Sequence, residues 1–93
     1  MNNLNVQHDI INHLFYIKVK DGTAVLKYDQ IDENHLDYIS THVPESAQGL
    51  GVGKSLVEHA LDYAKERNMM VKPTCPFVKH IVEHSDAYEQ IVD

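Results

Sequence analysis

The hydrophobic rhythm of the chain changes at Pro44, and that change constrains the fold more than any other feature. Before it, side chains alternate. Leu14, Tyr16 and Lys18 alternate with Phe15, Ile17 and Val19; Ala24, Leu26 and Tyr28 then alternate with Val25, Lys27 and Asp29. A period of two is the mark of a strand. Asp21-Gly22 separates the two runs and is a strong hairpin signal. Asp32-Glu33-Asn34 supplies a second turn, and residues 35–43 read as a third strand that ends before Pro44. Strands joined by short turns predict an antiparallel meander. Tyr16, Tyr28 and Tyr38 are expected to serve its core.

After Pro44 the period becomes helical. Val52, Leu56, Val57, Ala60, Leu61 and Ala64 form one stripe, with Glu58, Asp62, Lys65 and Glu66 between them. This predicts an amphipathic helix of about four turns, with Asn68 as its C-terminal cap. Residues 69–72 form a short apolar run, read as a buried strand. Phe77, Val78, Ile81 and Val82 predict a second helix with Pro76 in its first turn. Residues 85–93 read as a short final helix or a tail. The third strand, first helix and fourth strand make a βαβ crossover, so the fourth strand is expected to run parallel to the third. The class is α+β, a meander followed by a crossover and a C-terminal helix, in one domain over residues 1–93.

Composition narrows the function classes. Eight Lys and Arg stand against fourteen Asp and Glu, which argues against a nucleic-acid binder and its basic patch. No apolar run approaches the roughly 20 residues of a membrane helix, and the first residues lack the pattern of a signal peptide. The single cysteine, Cys75, excludes an intramolecular disulfide and fits a reducing compartment. A cytoplasmic location is the expectation.

The loop between the third strand and the first helix reads Gln48-Gly49-Leu50-Gly51-Val52-Gly53-Lys54-Ser55. Glycines allow close backbone approach and positive φ. A helix N-terminus adds unpaired N–H groups and partial positive charge. Together they predict an anion site suited to a phosphate or pyrophosphate. The P-loop pattern fails because Gln48 stands where glycine is required. The dinucleotide pattern fails because Lys54 stands where its last glycine should be, and because it needs a parallel sheet.

Gln/Arg-x-x-Gly-x-Gly/Ala does match, at Gln48, Gly51 and Gly53. It is the coenzyme A signature of the GNAT superfamily, where it also lies between an antiparallel strand and a helix. From about Leu14 onward the chain resembles the small stand-alone GNAT-like family. The resemblance is carried by Phe15-Tyr16, Ala24-Val25-Leu26-Lys27-Tyr28, Thr41-His42-Val43-Pro44, the glycine loop, Ala60-Leu61-Asp62-Tyr63-Ala64 and Pro73-Thr74-Cys75-Pro76-Phe77. It implies a sheet splayed between the third and fourth predicted strands, with pantetheine in the gap. Backbone groups of Thr41 and Val43 would flank that arm, and amides of Gly49, Leu50, Gly51, Val52, Gly53 and Lys54 would hold the pyrophosphate. The tail departs from the family's His-Pro-Glu-Tyr: three residues separate His84 from Tyr88, and none is proline. The helical segment that larger GNAT enzymes insert between their first strands is absent here.

Candidates for chemistry follow. Cys75 begins a helix, a position that favours a thiolate, and the resemblance implies that it lies near the thioester. It is a candidate acyl acceptor or acid toward the leaving thiolate; a small buried apolar role is the alternative. His42, at the end of the third strand, is a candidate base, or a strand-end structural residue. Tyr88 is a candidate general acid by analogy with larger GNAT enzymes, or a packing aromatic. Lys54 and Lys79 are candidates for phosphate contact. His80 and His84 have the spacing of two metal ligands on one helix face but lack a third, so no metal is expected. The leading function is acyl transfer from acetyl-coenzyme A to an amine or thiol. The alternative is a module that holds or senses acyl-coenzyme A, with self-acylation on Cys75. A monomer or a homodimer is compatible with either.

Overall fold

A computed structural model describes residues 5–92. Its strands are β1 (Gln7–Asp9), β2 (Leu14–Val19), β3 (Gly22–Asp32), β4 (His35–His42) and β5 (Met70–Lys72). Its helices are α1 (Val52–Glu66) and α2 (Pro76–Glu83), with 3-10 turns over Glu45–Ala47 and Asp86–Ile91. The strands form one mixed sheet in the order β1-β2-β3-β4-β5. All neighbours are antiparallel except β4 and β5, the parallel pair that the crossover implied.

One face of the sheet is buried. Phe15 pairs with Leu26 and Ile17 with Ala24, and these residues join Tyr28, Leu36 and Tyr38 in the core. The apolar stripe of α1 and Val78, Ile81 and Val82 of α2 cover them. Each fully buried leucine or valine contributes about 1.5–3 kcal/mol relative to exposure. The Tyr38 hydroxyl donates to the Ala60 carbonyl oxygen, tying β4 to α1 inside this layer. Tyr16, expected in the core with Tyr28 and Tyr38, is only half-buried. Its register partner is Val25, which places it on the opposite face from Phe15.

β1 has no counterpart in the strand pattern. Three residues are too few for a readable alternation; the strand pairs with β2, and its side chains add contacts to the core. His8 stacks on Phe15 with ring centres 4.1 Å apart, and its Nε2 lies 2.6 Å from the Tyr28 hydroxyl.

α1 ends as the sequence indicates. Asn68 takes a φ of 56°. Its N–H donates to the Lys65 carbonyl at 3.2 Å, and the Met69 N–H donates to that of Ala64 at 2.9 Å. This is a Schellman cap, and it turns the chain directly into β5.

The parallel pairing is short. It joins His35 to Met70, Leu36 to Val71 and Asp37 to Lys72, then stops, while β4 continues to His42. Pro73 cannot donate to a ladder, and Pro76 starts α2. Between the prolines, the Cys75 N–H donates to the Tyr38 carbonyl at 2.9 Å and the Thr74 hydroxyl to the Asp37 carboxylate at 2.5 Å. The strands therefore part just beyond Asp37. Close to the same point, register slips from Lys27–Ser40 to Tyr28–Tyr38, leaving Ile39 as an extra residue on β4. Such bulges bend a strand and re-aim its backbone.

Candidate functional site

The gap between β4 and α2 opens into a groove of about 350 Å³. Thr41 and Val43 line one wall, Phe77 another, and Ala47, Gln48, Gly49, Gly51, Val52, Gly53 and Lys54 form its end. Sequence reasoning named eight of these residues from two separate stretches, and the fold brings both stretches to one place.

The loop geometry follows from its residue types. Gly49 and Gly51 adopt φ of 83° and 80°, a region costly for side chains with a Cβ. Gly51 is also the N-cap of α1, and no side chain caps that helix. The first helical bond is donated by Ser55 to the Gly51 carbonyl at 3.0 Å. The N–H groups of Val52, Gly53 and Lys54 precede it and lie at the groove. The first turn of α1 carries no acidic residue, so the helix dipole there meets no carboxylate from its own helix. The Gln48 side chain donates to the Val43 carbonyl at 3.1 Å, fixing where the loop leaves β4.

Gly53 has a different purpose. A Cβ there would stand 3.0 Å from Phe77 Cε2 and 3.3 Å from Val43 Cγ2, so its lack of a side chain lets α1 approach α2 and β4. At Gly49 and Gly51 a Cβ would meet nothing within 4 Å. That open space adjoins the start of α1, where a helix offers its first N–H groups to an anion.

Cys75 lies behind the Thr41 wall. The residue is 4% exposed, and its Sγ is 3.4 Å from Thr41 Oγ1. Three other candidates lie elsewhere. Leu50 points out of the loop, 69% exposed. His42 pairs with Val25 on the uncovered face of the sheet, opposite Thr41, because neighbouring strand residues face opposite ways. The Tyr88 hydroxyl donates to Asp62 of α1 at 3.1 Å, and the ring is buried against that helix. Burial and the Asp62 carboxylate push its ionisation well above the ordinary tyrosine range. Tyr88 therefore serves packing in this geometry, and the altered tail spacing was the signal for it.

Phe77, which completes the groove, enters the sequence reading only as part of the second helix and of the Pro-Thr-Cys-Pro-Phe stretch. It is 39% exposed. Its position directly after Pro-Thr-Cys-Pro, in the first turn of α2, was the available clue.

Comparison with known proteins agrees with this fold. The family model described as GCN5-related N-acetyl-transferase matches residues 14–91. The chain belongs to the GCN5-related N-acetyltransferase family. The chain is also similar to protein NATD1 of Bos taurus, 27% identical over 84 residues, which cover 88% of this chain and 74% of the relative. The Danio rerio NATD1 is 29% identical over the same number of residues, covering 88% and 76%. The solution structure of a GCN5-like protein from Staphylococcus aureus superposes with a TM-score of 0.71 at 27% identity, covering 100% of this chain and 91% of that one. The mixed sheet with its short parallel pair is thus the GNAT fold. No helix among the described residues is long and apolar enough to cross a membrane.

Proposed function

We propose that the protein binds acetyl-coenzyme A in this groove and transfers its acyl group to an amine acceptor. One observation carries the reading: uncapped amides at the start of α1, under glycines with open Cβ space, join end to end with a groove along the unpaired part of β4. The residues suit the donor. Amides of residues 49–54, with the Lys54 ammonium beside them, offer donors to a pyrophosphate. Thr41, Val43 and Phe77 offer an apolar slot with backbone polar groups for the pantetheine arm. When bound, acetyl-coenzyme A supplies an acyl group activated as a thioester, which passes to the acceptor with release of the free thiol.

The chain's own contribution is placement and polarisation. Beyond Asp37 no strand pairs with this edge of β4 among the described residues, and the Ile39 bulge re-aims the backbone there. A β4 N–H facing the gap is the donor available to a developing oxyanion. The buried Cys75 thiol, in contact with Thr41, is the candidate for delivering a proton to a leaving thiolate.

A second reading has its own support. The residues lining the groove include no carboxylate and no imidazole, so a base must come from the acceptor or from outside the groove. A module that holds or senses the acyl donor, with acylation of Cys75, needs no such base in the groove. Incubation with acetyl-coenzyme A and a panel of primary amines separates the two. Free-thiol release that depends on an amine supports transfer. Release without amine, with an acetyl mass added to the protein and lost in Cys75→Ala, supports self-acylation. No thiol release with any amine and no added mass rules out both forms of transfer.

A further inference from the structure

A second cleft, of about 410 Å³, adjoins the groove and shares Lys54 and Phe77 with it. Glu58 of α1, His80, Ile81 and His84 from α2 and its end, and Ser85 complete its walls. His80 and His84 stand one helical turn apart with ring centres separated by 4.2 Å. His84 Nδ1 lies 2.8 Å from the His80 carbonyl oxygen. A carbonyl only accepts, so Nδ1 carries the proton, and Nε2 is left for a ligand. Neither of the described ion pairs uses Lys54.

A donor seated as proposed above has two ends. One follows β4 past Val43 and Thr41 toward Cys75. The other must leave the loop, and this cleft is the concave surface that continues from Lys54. Resting on that reading, we infer that the cleft receives the nucleotide end of the donor, and that the His80–His84 pair with Lys54 binds its 3′-phosphate, taking up a proton as it does so.

The proton uptake follows from the charge of the ligand. A phosphate monoester beside the two imidazoles favours the imidazolium, because His84 Nε2, with Nδ1 already committed to the His80 carbonyl, can donate to an anion only when protonated. Lys54 attracts the phosphate but opposes charge on the imidazoles. Glu58 does the reverse, favouring the imidazolium and repelling the phosphate, which sets the phosphate toward the histidines and leaves the Glu58 carboxylate as an acceptor for an exocyclic amine of a base. Ser85 Oγ accepts the Ala87 N–H at 3.2 Å, leaving its own proton free to donate. The half-exposed Phe77 ring offers a stacking surface between the two clefts. Lys79 and Glu83, also on α2, are exposed and lie outside the cleft walls.

The test is titration calorimetry with coenzyme A and with 3′-dephospho-coenzyme A, at about pH 6.5 and about pH 8, a window in which imidazoles change charge. Wild type is compared with His80→Gln/His84→Gln, whose altered side chains are exposed. Wild type is expected to bind coenzyme A about tenfold tighter than the dephospho form at the lower pH, the worth of one charge-assisted hydrogen bond. The preference should shrink at the higher pH, with proton uptake visible as a buffer-dependent heat. In the double variant it should be small and equal at both. The ligand's own phosphate ionisation is common to both proteins and cancels in the comparison. Equal binding of the two ligands by wild type overturns this inference and leaves the groove intact. A preference unchanged in the double variant overturns the histidine assignment. Failure of wild type to bind either ligand overturns this inference and the proposed function together.

Discussion

Gly51 and Gly53 are two residues apart and fail differently when substituted. Gly51 holds a φ of 80° over open space, so Gly51→Ala strains the backbone by about 1 kcal/mol and places a methyl over the amides. Urea denaturation should show that small loss of stability, while acetyl-coenzyme A affinity should fall by tenfold or more. Gly53→Ala instead drives a Cβ to 3.0 Å from the Phe77 ring. It should cost about 1–3 kcal/mol by overpacking, with affinity changing through Phe77 alone. If both variants lose stability and affinity in the same proportion, the division of roles is wrong. The motif letters revealed that glycines were needed here. Which glycine served the ligand and which served helix packing depends on what stands opposite each Cβ, and one sequence does not encode that locally. The same limit applies to His42: the strand pattern placed it near the groove, and only the Val25 register showed it on the other face.

At the scale of elements, the strongly periodic segments were legible and the short ones were not. α1 announced itself by its stripe, its glycine start and its Asn68 cap. β1 was missed because its stability comes from His8 packed among residues distant in sequence. Burial lowers the His8 ionisation below its ordinary 6.5, and the nearby Arg67, His59 and His13 charges add to this, with Asp9 opposing. The folded state therefore prefers the neutral ring. Its contribution is complete above about pH 6.5 and is lost as pH falls below that value. Wild type should lose thermal stability between about pH 7 and about pH 5, and His8→Phe should flatten that slope. An identical slope in both proteins would detach β1 from this titration. The Tyr28 hydroxyl that meets His8 is pushed up to about 12 by burial, so it stays a neutral partner throughout the range. The splay between β4 and β5 was legible only through the family resemblance. Its physical cause lies in Pro73 and Pro76, which end the pairing, and in the anchoring of Thr74 and Cys75 to Asp37 and Tyr38.

For the whole molecule, ligand and fold are coupled. A donor bridging β4, the loop and α2 stabilises all three, and at a free concentration a hundredfold above its Kd it should add about 2.7 kcal/mol. Thermal melts with increasing acetyl-coenzyme A should rise accordingly in wild type and stay flat in Gly51→Glu. Cys75→Ser should keep this shift, because the thiol lies behind Thr41 rather than in the groove wall. Abolition of the shift in that variant would move Cys75 into the binding surface.

The placement of acetyl-coenzyme A in the groove is tested most directly by amide chemical-shift mapping by NMR. The largest perturbations should fall on residues 48–54 and run along Thr41 and Val43 to Cys75 and Phe77, with Leu14 to Val19 unmoved. Saturable shifts centred anywhere else, or none at millimolar ligand, would contradict it.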